Sequence, residues 1–234
     1  MTLTTTITAT KIIGENEVIQ FAYEGPNNGV FNVGLATQSS SPPDFINHGS
    51  IIATDTVVGS WGVKGVLYAY DGGFWTDALF LNTGSITVTS SDGDEAIGVG
   101  ASGWSPHFIN TGVISAQTST GVATGLRGTV TTSLSSGATA PILVNSGQII
   151  ADGVGARGVV IQFGSIDNSG TITAHAHTER ASDGLAYEAN GVAGVGLELL
   201  NTGSIIADNS GSVEANGVWT PSTRRATAWS TTAG

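Results

Sequence analysis

The sequence predicts an all-β chain wound as a parallel β-solenoid, and three observations carry that prediction. A nine-residue strand pattern recurs six times in one register. A Gly-Val or Gly-Leu step recurs between the copies. Glycine reaches 34 of 234 residues while charged residues make up only 11%, a composition that suits stacked strands and corners and opposes helices with solvated charged faces. A length of 234 residues with 40% apolar content accommodates one domain with one sizeable core.

From the N-terminus, residues 1–44 carry no copy of the pattern, although "VIQFAYEG" and "GVFNVGLA" read as strands before a "SSSPPD" break. A solenoid end exposes unpaired backbone groups and apolar columns, so this segment is assigned as a cap or as subunit-joining strands. The repeats occupy residues 45–218: "FINHGSIIA" at 45–53, "FLNTGSITV" at 80–88, "FINTGVISA" at 108–116, "LVNSGQIIA" at 143–151, "IDNSGTITA" at 166–174 and "LLNTGSIIA" at 199–207. Alternate positions of a strand share one face. The near-constant phase contains an apolar residue, Asn, Gly, Ile and a small apolar residue, so the Asn and Gly belong to the buried side. The steps between successive Asn residues are 35, 28, 35, 23 and 33, too uneven for propeller blades and natural for coils with variable loops. Between them come Gly65-Val66, Gly98-Val99, Gly125-Leu126, Gly158-Val159, Gly191-Val192 and Gly217-Val218, so each coil contains at least two strands. About six or seven coils are expected. Residues 219–234 are Ser/Thr-rich and form a C-terminal tail in which Trp219, Arg224, Arg225 and Trp229 are interface candidates.

The repeated phase assigns two structural columns. Asn47, Asn82, Asn110, Asn145, Asn168 and Asn201 form a ladder of buried amides, each able to donate and accept along the stack. Ile51, Ile86, Ile114, Ile149, Ile172 and Ile205 form a core column. The Gly two residues after each Asn is expected to supply a sharp bend or a backbone conformation closed to side chains.

The Asn-Thr/Ser-Gly-x-Ile-x-Ala pattern alternating with Gly-Val segments resembles the passenger repeats of bacterial autotransporters and related surface β-solenoid proteins. That resemblance, over about residues 45–218, implies a right-handed parallel β-helix, in keeping with the general chirality of parallel crossovers. It also implies an extracellular or bacterial cell-surface location. No export signal is identified: the "MTLTTTITATKIIG" start lacks the basic and apolar regions of a cleaved leader. No C-terminal outer-membrane barrel and no transmembrane segment are recognised.

Composition narrows the partners. A formal charge of −11 with only seven Lys and Arg opposes nucleic acid. The absence of cysteine removes disulfides, thiolate nucleophiles and Cys-based zinc sites. Two clusters have ligand chemistry. Asp92, Asp94 and Glu95 in "SSDGDEA" gather carboxylates near a turn glycine, which makes calcium the one cofactor considered, though the spacing matches neither an EF-hand nor a β-roll. His175, His177 and Glu179 in "HAHTE" sit two apart after a repeat strand and offer a transition-metal site. Each has the plainer reading of a solvated turn or strand extension. Asp44, Asp55, Asp71, Asp77 and Asp152 share no phase and assemble no catalytic pair by sequence. An outward Thr-x-Thr occurs once, at Thr171 and Thr173, so no ice-binding ladder is present.

The expected function is non-catalytic: an extracellular structural β-solenoid that self-assembles end to end into filaments by edge-strand augmentation. The homo-oligomer or polymer is then the main partner. The alternative is a monomeric adhesin or autotransporter-passenger fragment binding a glycan or host surface. A polysaccharide lyase or glycosidase on a β-helix is the third reading.

Overall fold

The computed structural model describes residues 5–7, 11–23, 32–38, 44–55, 63–69, 79–91, 95–102, 107–129, 142–162, 164–177, 188–210 and 215–219. These residues form a parallel β-solenoid, and no helix long and apolar enough to cross a membrane occurs among them. A short strand, β1 (Thr5–Ile7), precedes seven consecutive three-stranded coils. Coil 1 is β2 (Lys11–Ile13), β3 (Val18–Tyr23) and β4 (Asn32–Gln38); coil 2 is β5 (Phe45–Asn47), β6 (Ser50–Asp55) and β7 (Val63–Ala69). Coil 3 is β8 (Leu79–Asn82), β9 (Ser85–Ser90) and β10 (Glu95–Ser102); coil 4 is β11 (His107–Asn110), β12 (Val113–Thr118) and β13 (Val122–Thr129). Coil 5 is β14 (Ile142–Asn145), β15 (Gln148–Gly153) and β16 (Gly155–Ile161); coil 6 is β17 (Gly164–Asn168), β18 (Thr171–Ala176) and β19 (Ala189–Ala193). Coil 7 is β20 (Leu197–Asn201), β21 (Ser204–Asn209) and β22 (Ala215–Trp219).

Equivalent strands of successive coils pair in parallel, giving two sheets of seven strands and one of eight, the last including β1. Two features differ from the sequence reading. Each coil has three strands rather than the minimum of two. The solenoid also begins before residue 45, because residues 11–38 supply a coil in register with the rest: Ile13 pairs with Asn47 and Ile19 with Ile51.

The core is a set of columns running along the axis. The first sheet contributes Phe45, Phe80, Phe108, Leu143 and Ile166, and the second contributes Ile51, Ile86, Ile114, Ile149 and Ile172. The third contributes Val66, Val99, Leu126, Val159 and Val192, all of these residues being fully or almost fully buried. Phe45 stacks on Phe80 with ring centroids 5.5 Å apart and planes 9° apart, and Phe108 continues the column at 5.7 Å with a 57° tilt. Burial of each such side chain contributes roughly 1.5–3 kcal/mol. No sheet can slip by one residue without turning its whole column outward.

The recurrent Gly-Val step has a packing cause. Ala96 and Val99 both join the core although they are three residues apart, so β10 changes phase between them, at Gly98. A Cβ on Gly98 would lie 2.6 Å from Ile114 Cγ2 of the next coil. The same construction gives 2.4 Å from Gly125 to Ile149, 2.5 Å from Gly158 to Ile172 and 2.4 Å from Gly191 to Ile205. The third-sheet glycine of one coil is therefore the seat for the isoleucine of the next. The carbonyl of the next coil's glycine closes the same space, since a Cβ on Gly158 would also lie 2.5 Å from Gly191 O.

Gly158→Ala should destabilise the protein by about 1–3 kcal/mol through overpacking against Ile172 and the Gly191 carbonyl. Gly128→Ala should shift stability by less than about 0.5 kcal/mol, since its added Cβ would meet Ile161 and Phe108 at 3.6 and 3.8 Å. Denaturant unfolding of both variants measures the contrast, and equal losses would refute the interlock.

Candidate functional site

The feature that distinguishes this chain chemically is a polar spine inside its apolar core. At the corner between the first two strands of coils 2 to 6, an Asn turns inward, and its amide Nδ2 donates to Oδ1 of the Asn in the following coil. The distances are 2.7 Å for Asn47 to Asn82, 2.8 Å for Asn82 to Asn110, 2.8 Å for Asn110 to Asn145, 2.7 Å for Asn145 to Asn168 and 2.7 Å for Asn168 to Asn201. The second proton has carbonyl acceptors. Asn110 Nδ2, for example, reaches Gly112 O at 3.3 Å and Gln148 O of the next coil at 3.2 Å. Asn47, Asn82, Asn110, Asn145 and Asn168 are at most 1% exposed, so these bonds satisfy groups that water does not reach.

The main chain follows the same rule. Asn110 O accepts from Ser146 N at 2.9 Å and Gly147 N at 3.1 Å, while Gly112 O accepts from Gln148 N at 2.8 Å. Corners are thus bonded to corners of adjacent coils, and this close stacking explains the corner glycines. A Cβ on Gly112 would lie 2.0 Å from Gly84 O, and one on Gly147 would lie 2.1 Å from Gly112 O. Of the two roles expected for these glycines, the sharp bend is present at each corner and the special backbone conformation is not. Gly196, at φ 63°, is the one described glycine with positive φ, so the corner glycines are required by the neighbouring carbonyl rather than by φ.

The two ends of the spine differ. At the N-terminal end Ile13 occupies the Asn position, fully buried against Asn47, and Asn47 Oδ1 is buried without a hydrogen-bond partner. Coil 1 also replaces the two-residue corner with four residues, Gly14 to Glu17. Glu17 N donates to Gly14 O at 2.9 Å and the Glu17 carboxylate accepts from Gly14 N at 3.2 Å. Lys11 stands in the column that Phe45 and Phe80 continue, and its Nζ reaches Glu17 at 3.5 Å. At the C-terminal end Asn201, Thr202, Gly203 and Ser204 are exposed. Leu199, Ile205, Ala207 and Val218 are half-buried continuations of the core columns.

The ligand-like clusters do not assemble among the described residues, where no group of three or more His, Asp or Glu is placed to hold a metal. Asp92, Asp94 and Glu179 lie outside the described residues. Glu95 opens β10 and its Oε1 accepts from Arg127 Nη1 at 3.1 Å. His175 lies on β18 between Asp152 and Asp208 of the adjacent coils, with Nδ1 3.6 Å from Asp208 Oδ2. His177, just beyond that strand, contacts Asp152 instead. The two histidines therefore engage different carboxylates. Among the carboxylates considered for catalysis, Asp55 is buried at the end of β6 in coil 2, Asp44 just before β5 accepts from Leu79 N at 2.9 Å, and Asp152 lies on β15 in coil 5. Asp71 and Asp77 lie outside the described residues. Of the tail residues, Trp219 ends β22 and is 42% exposed; Arg224, Arg225 and Trp229 lie outside the described residues.

Sequence reasoning missed coil 1 because its Asn is an Ile and its corner is two residues longer. Its signal was present in "VIQF", which pairs residue by residue with "SIIA" of coil 2. Comparison with protein-family models, curated proteins and solved structures finds no match.

Replacing a mid-spine Asn removes an acceptor from one neighbour and a donor from the other. Asn145→Leu should cost about 3 kcal/mol or more, whereas Asn201→Leu, at the solvent-exposed last rung, should cost about 1 kcal/mol. Equilibrium unfolding distinguishes them, and equal costs would show that the spine does not act as a continuous ladder. The exposed Glu95–Arg127 pair is of a different order. Arg127→Ala should change stability by less than about 1 kcal/mol in the same measurement.

Proposed function

We propose that this chain is a non-catalytic structural protein of a bacterial surface or extracellular matrix, a β-solenoid rod that assembles end to end into filaments by edge-strand augmentation. The observation that carries the reading is the condition of coil 7. Among the described residues its columns end at half-buried apolar side chains, and its rung, Asn201, is exposed. An edge of this kind is a template on which another coil can pair. Apolar columns that continue across such a joint add hydrophobic burial to backbone bonding.

The outer faces support the same role. One outward column of the second sheet runs through Ser50, Ser85, Val113, Gln148, Thr171 and Ser204, none of them charged, and another runs through Thr54, Thr89, Gln117, Asp152, His175 and Asp208, ionisable only in the last three coils. This surface suits an exposed fibre better than the binding of a charged polymer. A glycan-binding adhesin is the reading that a strictly monomeric rod would favour.

Negative-stain electron microscopy across a concentration series tests the assembly. Seven coils at about 4.8 Å each give a rod of about 34 Å, and filaments several times longer should appear and lengthen with concentration. Discrete short rods at every concentration would overturn the filament.

A further inference from the structure

We propose that the open face of coil 7 selects an incoming coil that carries an Asn-x-Gly corner, and that this chain's own first coil is built to meet that face imperfectly. The inference rests on the edge-augmentation reading above and names its partner by hydrogen-bond pattern. The partner is a β-solenoid coil from another chain with Asn at the first corner and Gly two residues later.

The pattern is read from the five Asn-to-Asn contacts that the chain makes internally. At each, the leading coil offers one Nδ2 donor and two carbonyl acceptors, those of the Asn and of the Gly two residues on. The following coil answers with an Asn Oδ1 and three backbone N–H groups. Between coils 6 and 7 these are Asn201 Oδ1 to Asn168 Nδ2 at 2.7 Å, Thr202 N and Gly203 N to Asn168 O at 2.8 and 3.0 Å, and Ser204 N to Gly170 O at 2.8 Å. Coil 7 presents the same leading set again. Among the described residues Asn201 O and Gly203 O receive no backbone donor, and Asn201 Nδ2 has only the 3.4 Å contact to Gly203 O of its own corner. The open face therefore continues an interface that already exists five times, and an Asn-x-Gly coil completes every bond of it.

Coil 1 does not. Ile13 provides no Oδ1 for Asn201. The Gly14 N–H, which would take the place of Thr202 N, already donates to Glu17 at 3.2 Å. The four residues from Gly14 to Glu17 stand where every other corner has two. In the second sheet the apolar column still matches, with Ile19 and Phe21 in line with Ile205 and Ala207 through the shared register, whereas in the first sheet Lys11 stands in line with Leu199. A joint between two copies of this chain thus retains the second-sheet hydrophobic contact, sets Lys11 against the first-sheet column, and lacks the Asn acceptor and the first corner N–H. It is weaker than any internal coil contact and gives way to an Asn-bearing coil.

The test converts coil 1 into the preferred partner in the full chain. One variant replaces residues 13–17 by Asn-Thr-Gly; a second carries Ile13→Asn alone and keeps the four-residue turn. Circular dichroism verifies folding, and sedimentation velocity with light scattering gives the concentration at which end-to-end association begins. The corner variant should associate at a concentration at least about tenfold below wild type. Ile13→Asn should move in the same direction by a smaller factor and carries the test if the corner variant does not fold. Adding Asn201→Leu should abolish the gain. Wild-type filaments with no gain in the variants, or a gain that survives Asn201→Leu, would overturn the selectivity and leave the filament reading intact. Association by the variants alone would sustain the selectivity and overturn the wild-type filament. Association by neither would overturn both.

Discussion

The distance between corners is the constraint on which the rest of this solenoid depends. Stacked corners approach until the carbonyl of one glycine lies against the Cα of the next, about 2 Å from where a Cβ would be. That closeness brings the Asn amides within 2.7–2.8 Å of each other. It also lets one Asn carbonyl accept two N–H groups. A bulkier residue at the corner would separate the coils locally and lengthen the amide bonds together with the backbone bonds. Because an unpaired buried amide costs more than a formed one contributes, the arrangement favours an unbroken ladder over partial ones.

The apolar side of the fold is tied to the same spacing. Each third-sheet glycine leaves room for an isoleucine γ-methyl one coil further on, so the fit between coils is diagonal: Gly98 with Ile114, Gly125 with Ile149, Gly158 with Ile172 and Gly191 with Ile205. Diagonal packing resists rotation of one coil relative to the next, which amide and backbone bonds alone would limit less. Connections after the second and the third strand of a coil vary in length without disturbing either column, as between Ala176 and Ala189 in coil 6 against Gly153 and Gly155 in coil 5. The coil-to-coil steps of 23 to 35 residues reflect that freedom.

Much of this was legible because repetition turns a weak local pattern into a strong one. Six copies in one register placed Asn, Ile and the alternating faces, and with them the fold class. What was not legible lay where the repeat changed. Coil 1 was hidden by Ile13 and by the longer Gly14 to Glu17 turn, and the division of each nine-residue repeat into two strands by an alternation of buried and outer positions that continues across the corner from Asn to Gly. The role of the corner glycines could not be read from composition either, since a glycine needed for space looks the same as one needed for φ. The His175 and His177 pair read as one face; in space their rings engage different carboxylates because His177 lies past the end of β18. Side-chain direction beyond a strand end is set by the chain that follows, which spacing does not encode.

The five amide bonds of the spine all point the same way. Their dipoles add along the axis as peptide dipoles do in an α-helix, and aligned hydrogen bonds polarise one another in a medium of low dielectric. The rod therefore has an electrical direction as well as a chemical one. Its partially negative terminus, Asn47 Oδ1, is sealed beneath Ile13 with the Lys11 side chain in the same terminal coil, and its partially positive terminus, the Asn201 amide, opens to solvent.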